Sequence, residues 1–232
     1  NHWSSPDERI STRYPAIWKI FLNNNLKLVF ICSPNNPSGN LIHKSAIEKF
    51  LRKFNGIIIL DEAYIDFCPS ASFLPALKKY PNLVILQTLS KAWGMAGARL
   101  GIAFASEEII GVFNKIKYPY NINVLTQTYA AETLKNEKNK HHLVGKILEQ
   151  KKILMDHLSD LKVVNELFPS DANFLLVKFL NAQKIFEHLK KNGIIVRDRS
   201  KEVNCENCLR ITVGTETENR KLIQTLKNYK SW

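Results

Sequence analysis

The chain has 232 residues, 45% of them hydrophobic and 23% charged, with a formal net charge of +12. That length suits one large domain and part of a second, with enough apolar material for a substantial core. No apolar run reaches the roughly 20 residues of a membrane-spanning helix, and the positive charge is spread through a Lys/Asn-rich background with no basic stripe interleaved with aromatics, so membrane and nucleic-acid proteins are set aside.

The opening residues, Asn-His-Trp-Ser-Ser-Pro, do not read as a signal peptide, and the lack of an initiator methionine suggests a fragment or a processed product. Residues 15–22 carry apolar positions at helical spacing and are expected to form a short amphipathic helix. Strand and helix patterns then alternate: strand 27–32, helix 44–54, strand 57–61, a short helix near 73–79 and strand 83–88. This rhythm predicts parallel strands joined by crossovers. The apolar run 100–104 follows after a short connection, so it is expected to run antiparallel to its predecessor. Helices are expected at 106–116, 123–137 and 139–160; the last, with Leu143, Ile147, Leu148, Leu154 and Leu158 along one side, is long enough to bridge two domains. Strands 162–166 and 173–178, helix 182–191, strands 194–197 and 208–213, and helix 216–229 complete an α+β pattern. The expected division is a first domain over 1–160, including the bridging helix, and a second over 161–232.

Three of the expected strand ends carry chemistry. The first runs into Ser33-Pro-Asn-Asn36-Pro-Ser-Gly39, a tight turn that offers the Asn36 amide. The second ends on Asp61, followed by Glu62, Ala63 and Tyr64. An aspartate at a buried strand end needs a positive partner. A protonated pyridine nitrogen is one, and pairing with it makes the ring an electron sink. Tyr64 and Asn36 can both reach a hydroxyl on such a ring. The third end reads Thr88-Leu-Ser90-Lys91, with Arg99 eight residues beyond the lysine. A lysine flanked by hydroxyls and small residues can hold an aldehyde as a Schiff base, and Thr88, Ser90 and Arg99 suit a phosphate beside it. An aldehyde and a phosphate on one small molecule describe pyridoxal 5'-phosphate. Each motif alone also reads as a turn, a helix cap or a solvated lysine. Their order, each behind an apolar strand, is what points to a cofactor.

Arg210 lies inside the apolar run Leu209-Arg-Ile-Thr-Val, and Arg197 ends the run Ile194-Ile-Val. A buried guanidinium needs an anion, either a carboxylate or phosphate on a ligand or an internal ion pair. Cys205-Glu-Asn-Cys208 raises zinc or redox chemistry. Cys32 and Cys68 are far apart as a second ligand pair, and Cys208 leads into a strand, so no metal site is expected. Four scattered cysteines suit a reducing cytoplasm.

The ordered set of Asn36, Asp61-Glu-Ala-Tyr64, Ser90-Lys91 and Arg99 resembles the fold-type I aminotransferases that use pyridoxal phosphate. With Gly193-Ile-Ile-Val-Arg197-Asp-Arg199 and Leu209-Arg210-Ile-Thr-Val-Gly-Thr215 added, the chain resembles the histidinol-phosphate aminotransferase family from about residue 27 onward. The resemblance implies an α/β fold, with a mostly parallel sheet in a large domain and an α+β small domain. It implies a homodimer that moves an amino group between L-glutamate and imidazole-acetol phosphate, giving L-histidinol phosphate and 2-oxoglutarate in L-histidine biosynthesis. Lys91 would be the Schiff-base lysine and proton carrier, Asp61 the partner of the ring nitrogen, and Asn36 and Tyr64 the ligands of the ring oxygen. Ser90, Arg99 and Thr88 would hold the cofactor phosphate, and Arg210 with Arg197 the substrate anion. Family members are about half again as long. The N-terminal part without counterpart here supplies a glycine-containing phosphate loop, an aromatic residue stacking on the ring and a tyrosine that reaches the partner subunit's cofactor. Two other outcomes fit the same motifs: a related enzyme, such as a threonine-phosphate decarboxylase or an aromatic-acid aminotransferase, or an inactive truncated remnant.

Overall fold

Two four-stranded sheets organise the protein in a computed structural model that describes residues 26–229. The helix expected at 15–22 lies outside the described residues. The first sheet holds β1 (Leu28–Cys32), β2 (Ile57–Asp61), β3 (Leu83–Thr88) and β4 (Gly101–Phe104) in that order. β1, β2 and β3 are parallel, and β4 runs antiparallel to β3, as its short connection requires. Ile58, Leu60, Leu83, Val84 and Ile85 are fully buried, which is what near-continuous aliphatic strands signify in a parallel sheet.

Helix α1 (Lys44–Lys53) makes the crossover from β1 to β2 and lays Ile47, Phe50 and Leu51 on the sheet. The crossover from β2 to β3 is made of three short 3₁₀ turns, Ile65–Phe67, Pro69–Ala71 and Leu74–Lys79, of which only the last was expected. Prolines at the starts of the second and third turns supply the fixed backbone angle that such starts favour. The parallel register sets Cys32 beside Asp61 and Asp61 beside Leu86. The carboxyl ends of β1, β2 and β3 therefore finish side by side, the edge where open α/β sheets bind ligands.

Ser106 and Asn123 cap α2 (Glu107–Ile116) and α3 (Val124–Leu134) by accepting from the backbone N–H groups of Ile109 and Thr126. The helix expected at 123–137 stops at Leu134, because Asn136 caps the next one, α4 (Glu137–Ser159). α4 serves two clusters. Val144, Ile147 and Leu148 pack with Tyr64, Phe67, Ala92, Ala172 and Phe174, whereas Leu154 and Leu158 enter the core of the second sheet. Among the described residues no helix is long and apolar enough to cross a membrane.

The second sheet is antiparallel throughout, in the order β5 (Val164–Leu167), β6 (Phe174–Phe179), β8 (Cys208–Thr212), β7 (Arg197–Asp198). α5 (Ala182–Lys191) and α6 (Glu216–Lys227) cover one face with Ile185, Leu189, Leu222, Ile223 and Leu226. The strand expected at 194–197 is reduced to Arg197–Asp198. Gly193, at φ +71°, turns the chain out of α5, and the Ile194 N–H is taken by the Leu189 carbonyl at 2.9 Å.

α6 opens with a capping box. Thr215 Oγ1 accepts from the Glu218 N–H, and Glu218 Oε2 accepts from the Thr215 N–H at 2.8 Å. Those backbone and side-chain donors hold the Glu218 carboxyl below its ordinary range. Thr215→Ala should lower unfolding stability by about 1 kcal/mol in denaturant titrations. Because the folded pKa is depressed, the carboxylate's share should be full above the unfolded value of about 4.3 and fade as pH falls through the folded one. A variant as stable as wild type at neutral pH would contradict this.

Candidate active site

Asn36 stands at the exposed tip of the turn after β1. The turn is closed by the Asn35 N–H on the Asn40 carbonyl at 2.9 Å, the Gly39 N–H on the Asn35 carbonyl at 2.7 Å, and Asn35 Nδ2 on Ser38 Oγ at 2.8 Å. Gly39 has φ +80° and backs onto Ser170, whose Cβ would lie 2.8 Å from an added Cβ. Its carbonyl accepts from the Asp171 N–H at 2.8 Å, and Asp171 Oδ2 accepts from the Leu41 N–H at 2.9 Å. Lys151 of α4 ties down the same loop, donating to the carbonyls of Ser170 at 2.8 Å and Ala172 at 3.0 Å. The segment leading into β6 thus fixes the turn that presents Asn36.

Asp61 ends β2 half-buried. Its Oδ1 accepts from the Ala63 N–H at 2.9 Å, and Cys32 Sγ lies 3.9 Å from its Oδ2. Among the described residues no Lys, Arg or His forms an ion pair with it. Such a carboxylate suits a cationic ligand atom. Its neighbour Glu62 is buried and fully engaged, accepting from Ser72 Oγ at 2.8 Å, the Phe73 N–H at 2.7 Å and Gln87 Nε2 at 2.9 Å. The sequence reading gave Glu62 no role. In the structure it ties the end of β2 to β3 and to the 3₁₀ turns, and so sets where Asp61 and Tyr64 stand.

Tyr64 is buried edge-on against Phe174, with ring centroids 5.1 Å apart. Lys91 Nζ lies 5.2 Å from the Tyr64 ring centroid, on an exposed side chain. Thr88 ends β3, accepting from the Ser90 N–H at 3.1 Å and donating to the Leu100 carbonyl at 3.4 Å. Those bonds fix the start of the loop that carries Lys91, and Leu89 and Met95 pack its base against Ala130 of α3. Arg99, also exposed, adopts φ +54° and donates from Nη1 to the Ala96 carbonyl at 3.0 Å.

Arg210 comes from β8 with the opposite facing to Leu209 and Ile211, which lie in the core. Its guanidinium sits 5.1 Å over the Phe174 ring, and Nη1 donates to Asn36 Oδ1 at 2.7 Å. Its Nε is buried without a protein partner. Desolvation pushes the Arg210 pKa below its ordinary value, Tyr64 opposes this, and Arg199 and Arg197 add to it. Exposed Arg197 pairs directly with Arg210 across the strands. Arg199, two residues on, also has a buried, unpartnered Nε and pairs through Nη1 with Glu202 at 2.6 Å. Its alternate position in the Arg-Asp-Arg run was the signal that could have singled it out.

The structure therefore brings Asn36 to Arg210 across 174 residues of chain, and Lys91 to Tyr64, which shares Phe174 with Arg210. Asp61 and Thr88 take their places from strand register, Asp61 beside Cys32 and Leu86 and Thr88 beside Gly101, and from the local hydrogen bonds that hold each strand end. Arg99 hydrogen-bonds within its own loop. An amine, a carboxylate, an amide, a phenol, hydroxyls and guanidinium groups then surround the carboxyl edge of the first sheet and the face of β8 opposite it. Such a set of groups is chemically suited to a ligand that carries an aldehyde and a phosphate beside a second anion.

The chain belongs to the aminotransferase class I and II family, whose model matches residues 18–226. It is 53% identical over 208 residues to a histidinol-phosphate aminotransferase of Cytophaga hutchinsonii, covering 90% of this chain and 60% of that protein. A second protein of that name, from Parabacteroides distasonis, is 53% identical over 204 residues, covering 88% of this chain and 59% of the relative. The chain thus spans about 60% of the length of the curated relatives it matches. Among solved structures, the histidinol-phosphate aminotransferase from Clostridium acetobutylicum superposes with a TM-score of 0.85 at 28% identity, covering 92% of this chain and 66% of that one. The L-threonine-O-3-phosphate decarboxylase from Porphyromonas gingivalis gives 0.78 at 25% identity, over 88% and 64%.

The Cys-x-x-Cys pair packs with Leu176 and Phe168 in a small apolar cluster. All four cysteines are free, and among the described residues no group of three or more His, Cys, Asp or Glu could hold a metal ion. Burial raises both thiols, Cys208 to about 11. At pH 8 Cys208 should react with an aromatic disulfide reagent about a hundredfold more slowly in the folded than in the unfolded protein, and Cys205 more slowly too. Equal rates would mean the pair is exposed and reactive.

Proposed function

We propose that this chain is the main part of a pyridoxal-phosphate-dependent histidinol-phosphate aminotransferase. Its reaction would move an amino group between L-glutamate and imidazole-acetol phosphate, giving L-histidinol phosphate and 2-oxoglutarate in histidine biosynthesis. The observation that supports the reading is the Arg210–Asn36 hydrogen bond, 2.7 Å long, which joins a half-buried guanidinium from the second sheet to the turn at the carboxyl edge of the first. About half of the aligned residues are identical to those of curated proteins of that name, which favours this reading over a threonine-phosphate decarboxylase or an aromatic-acid aminotransferase.

The residues present fit pyridoxal phosphate. When bound, the cofactor supplies an electron sink for the carbanion formed at the substrate carbon. Lys91 would hold the cofactor at its aldehyde end and carry the proton at the substrate carbon. Asp61 would keep the ring nitrogen protonated, and Asn36 and Tyr64 would orient the ring oxygen. Thr88, Ser90 and Arg99 would hold the phosphate. Arg210, helped by Arg197, binds the substrate anion, which is the glutamate carboxylate in one half-reaction and the phosphate ester in the other. Arg210 Nη1 is engaged by Asn36, whereas Nε has no partner.

The reading extends to the whole protein of which this chain is part. The division between its lobes falls near residue 160, with α4 spanning it. The cytoplasm suits four free cysteines. A homodimer would cover Ile116, Tyr118, Tyr120, Val124 and Leu125, which lie close together in sequence and include Tyr120 at 94% exposure. Leu28 and Phe30 on the edge strand β1 are exposed too, Phe30 at 64%, so this chain by itself should be poorly soluble and bind cofactor weakly. Soluble, fully active material of this length would argue against that.

Borohydride reduction of the whole protein with pyridoxal phosphate, followed by peptide mapping, should place the pyridoxyl group on Lys91; label on another lysine would sink the assignment. Lys91→Ala should lower transamination by about 10⁴-fold or more. Asp61→Asn should lower turnover far more than cofactor affinity, and turnover equal to wild type would reduce Asp61 to a turn residue. Arg210→Lys should slow both half-reactions by about tenfold or more, since Lys keeps the charge and loses the fork. Arg197→Ala should hurt the phosphate substrate more than glutamate, because a dianion has more acceptors to satisfy. Single-turnover kinetics of each half-reaction would separate these effects, and equal losses for Arg197→Ala would contradict the division of roles.

A further inference from the structure

Lys140, in the second turn of α4, is only 11% exposed at its side chain, although lysine rarely leaves water unpaired. Its Nζ lies 3.1 Å from Asp66 Oδ1, 3.8 Å from Glu137 Oε1 and 5.0 Å from the centroid of the Trp93 ring. Two of these partners belong to site-bearing segments. Asp66 lies two residues beyond Tyr64, in the 3₁₀ turn that follows it. Trp93 lies two residues beyond Lys91, in the loop between β3 and β4. The same two segments meet again at the site, where Lys91 lies over Tyr64 at 5.2 Å. The contacts form two rungs between the same pair of strand-end segments, an inner one at Lys91 and Tyr64 and an outer one at Trp93, Lys140 and Asp66.

We propose that Lys140 is a positioning residue that sets the separation of Lys91 and Tyr64 by bridging the two segments that carry them. The ion pair and the cation–π contact draw on one ammonium from two sides, in surroundings that exclude most water. Val144 and Leu148 continue the same helix face, at spacings of four residues, and pack with Tyr64 and Ala92. Lys140 is thus the polar end of an apolar seam that presses α4 against both segments. Removing its charge leaves Asp66 without its cation and Trp93 without the group over its face. The catalytic consequence rests on the proposed cofactor roles of Lys91 and Tyr64, whereas the mechanical coupling does not.

The test compares Lys140→Met, which keeps the stem and loses the charge, with Lys140→Arg, which keeps both partners within reach. In the whole protein without cofactor, amide hydrogen exchange of peptides covering 62–68 and 89–98 should lose protection together in the Met variant, by about tenfold, and recover in the Arg variant. With pyridoxal phosphate bound, the pH midpoint of the visible absorbance should shift by about half a unit in the Met variant and return with Arg. Loosening confined to the start of α4, or to one segment alone, would overturn the proposal and reduce Lys140 to a helix anchor. An unshifted midpoint beside paired loosening would overturn its role at the site. A wild-type protein with no visible band would overturn the proposed function instead, and the exchange result alone would then decide the coupling.

Discussion

The parallel register of β1, β2 and β3 is the constraint on which the site depends. Cys32, Asp61 and Leu86 lie in one row, so the segments that follow the three strands leave the sheet at one edge. Parallel strands require a crossover between each pair, and both crossovers here bury apolar side chains on the same core: α1 through Ile47, Phe50 and Leu51, and the second crossover through Phe73, just before its last 3₁₀ turn. A slip of one residue in either parallel pairing would move Asp61 out of line with the ends of its neighbouring strands and turn Ile58 and Leu60 out of the core. The burial that stabilises the sheet is therefore also what aligns the site. At roughly 25 cal/mol per Å² of apolar area, fully buried isoleucine and leucine side chains hold register far more firmly than any single polar contact at the edge.

The second sheet and the segment leading into it reach that edge through a small set of hydrogen bonds. The Asp171 backbone and carboxylate grip Gly39 and Leu41, Lys151 holds the loop they come from, and Arg210 donates to Asn36. Phe174 lies between Tyr64 and Arg210, touching a ring on one side and a guanidinium on the other. The aromatic ring supplies apolar surface and a face that attracts a cation, so Arg210 is partly dehydrated without being neutralised. A dehydrated guanidinium with one prong engaged and one donor unsatisfied has much to gain from an anion.

Much of this was legible in the sequence. The alternation of apolar runs with helical spacing located the strands of the first sheet to within a residue, and the short link after Arg99 foretold the antiparallel β4. The positions of Asn36, Asp61 and Lys91 at or just beyond strand ends were legible, because an apolar run stops at or shortly before each of them. The shortened β7 was not, since Ile194 and Val196 look like a strand while serving instead to pack the end of α5. Nor was the break between α3 and α4, where a capping asparagine looks the same as an asparagine on a polar helix face. The contacts of Glu62, Lys140 and Arg199 were beyond reach for a common reason: their partners are set by tertiary placement, and a charged residue beside a motif carries no local mark of what it will meet.

Asp61 and Glu62 show how placement decides chemistry. They are adjacent carboxylates, so the alternation of the strand sends them to different surroundings. Glu62 enters the interior and is met by a hydroxyl, an amide and a backbone N–H, a set that satisfies its oxygens and leaves it nothing to offer a ligand. Asp61 has one N–H at 2.9 Å and a distant thiol, so its outer oxygen keeps most of its accepting capacity. A buried carboxylate that is fully hydrogen-bonded is a structural tie. One left short of donors is suited to binding, because completing its set releases free energy only when a donor arrives. Glu62 holds the end of β2 still, and Asp61 can therefore remain incomplete at the place where a ring nitrogen would meet it.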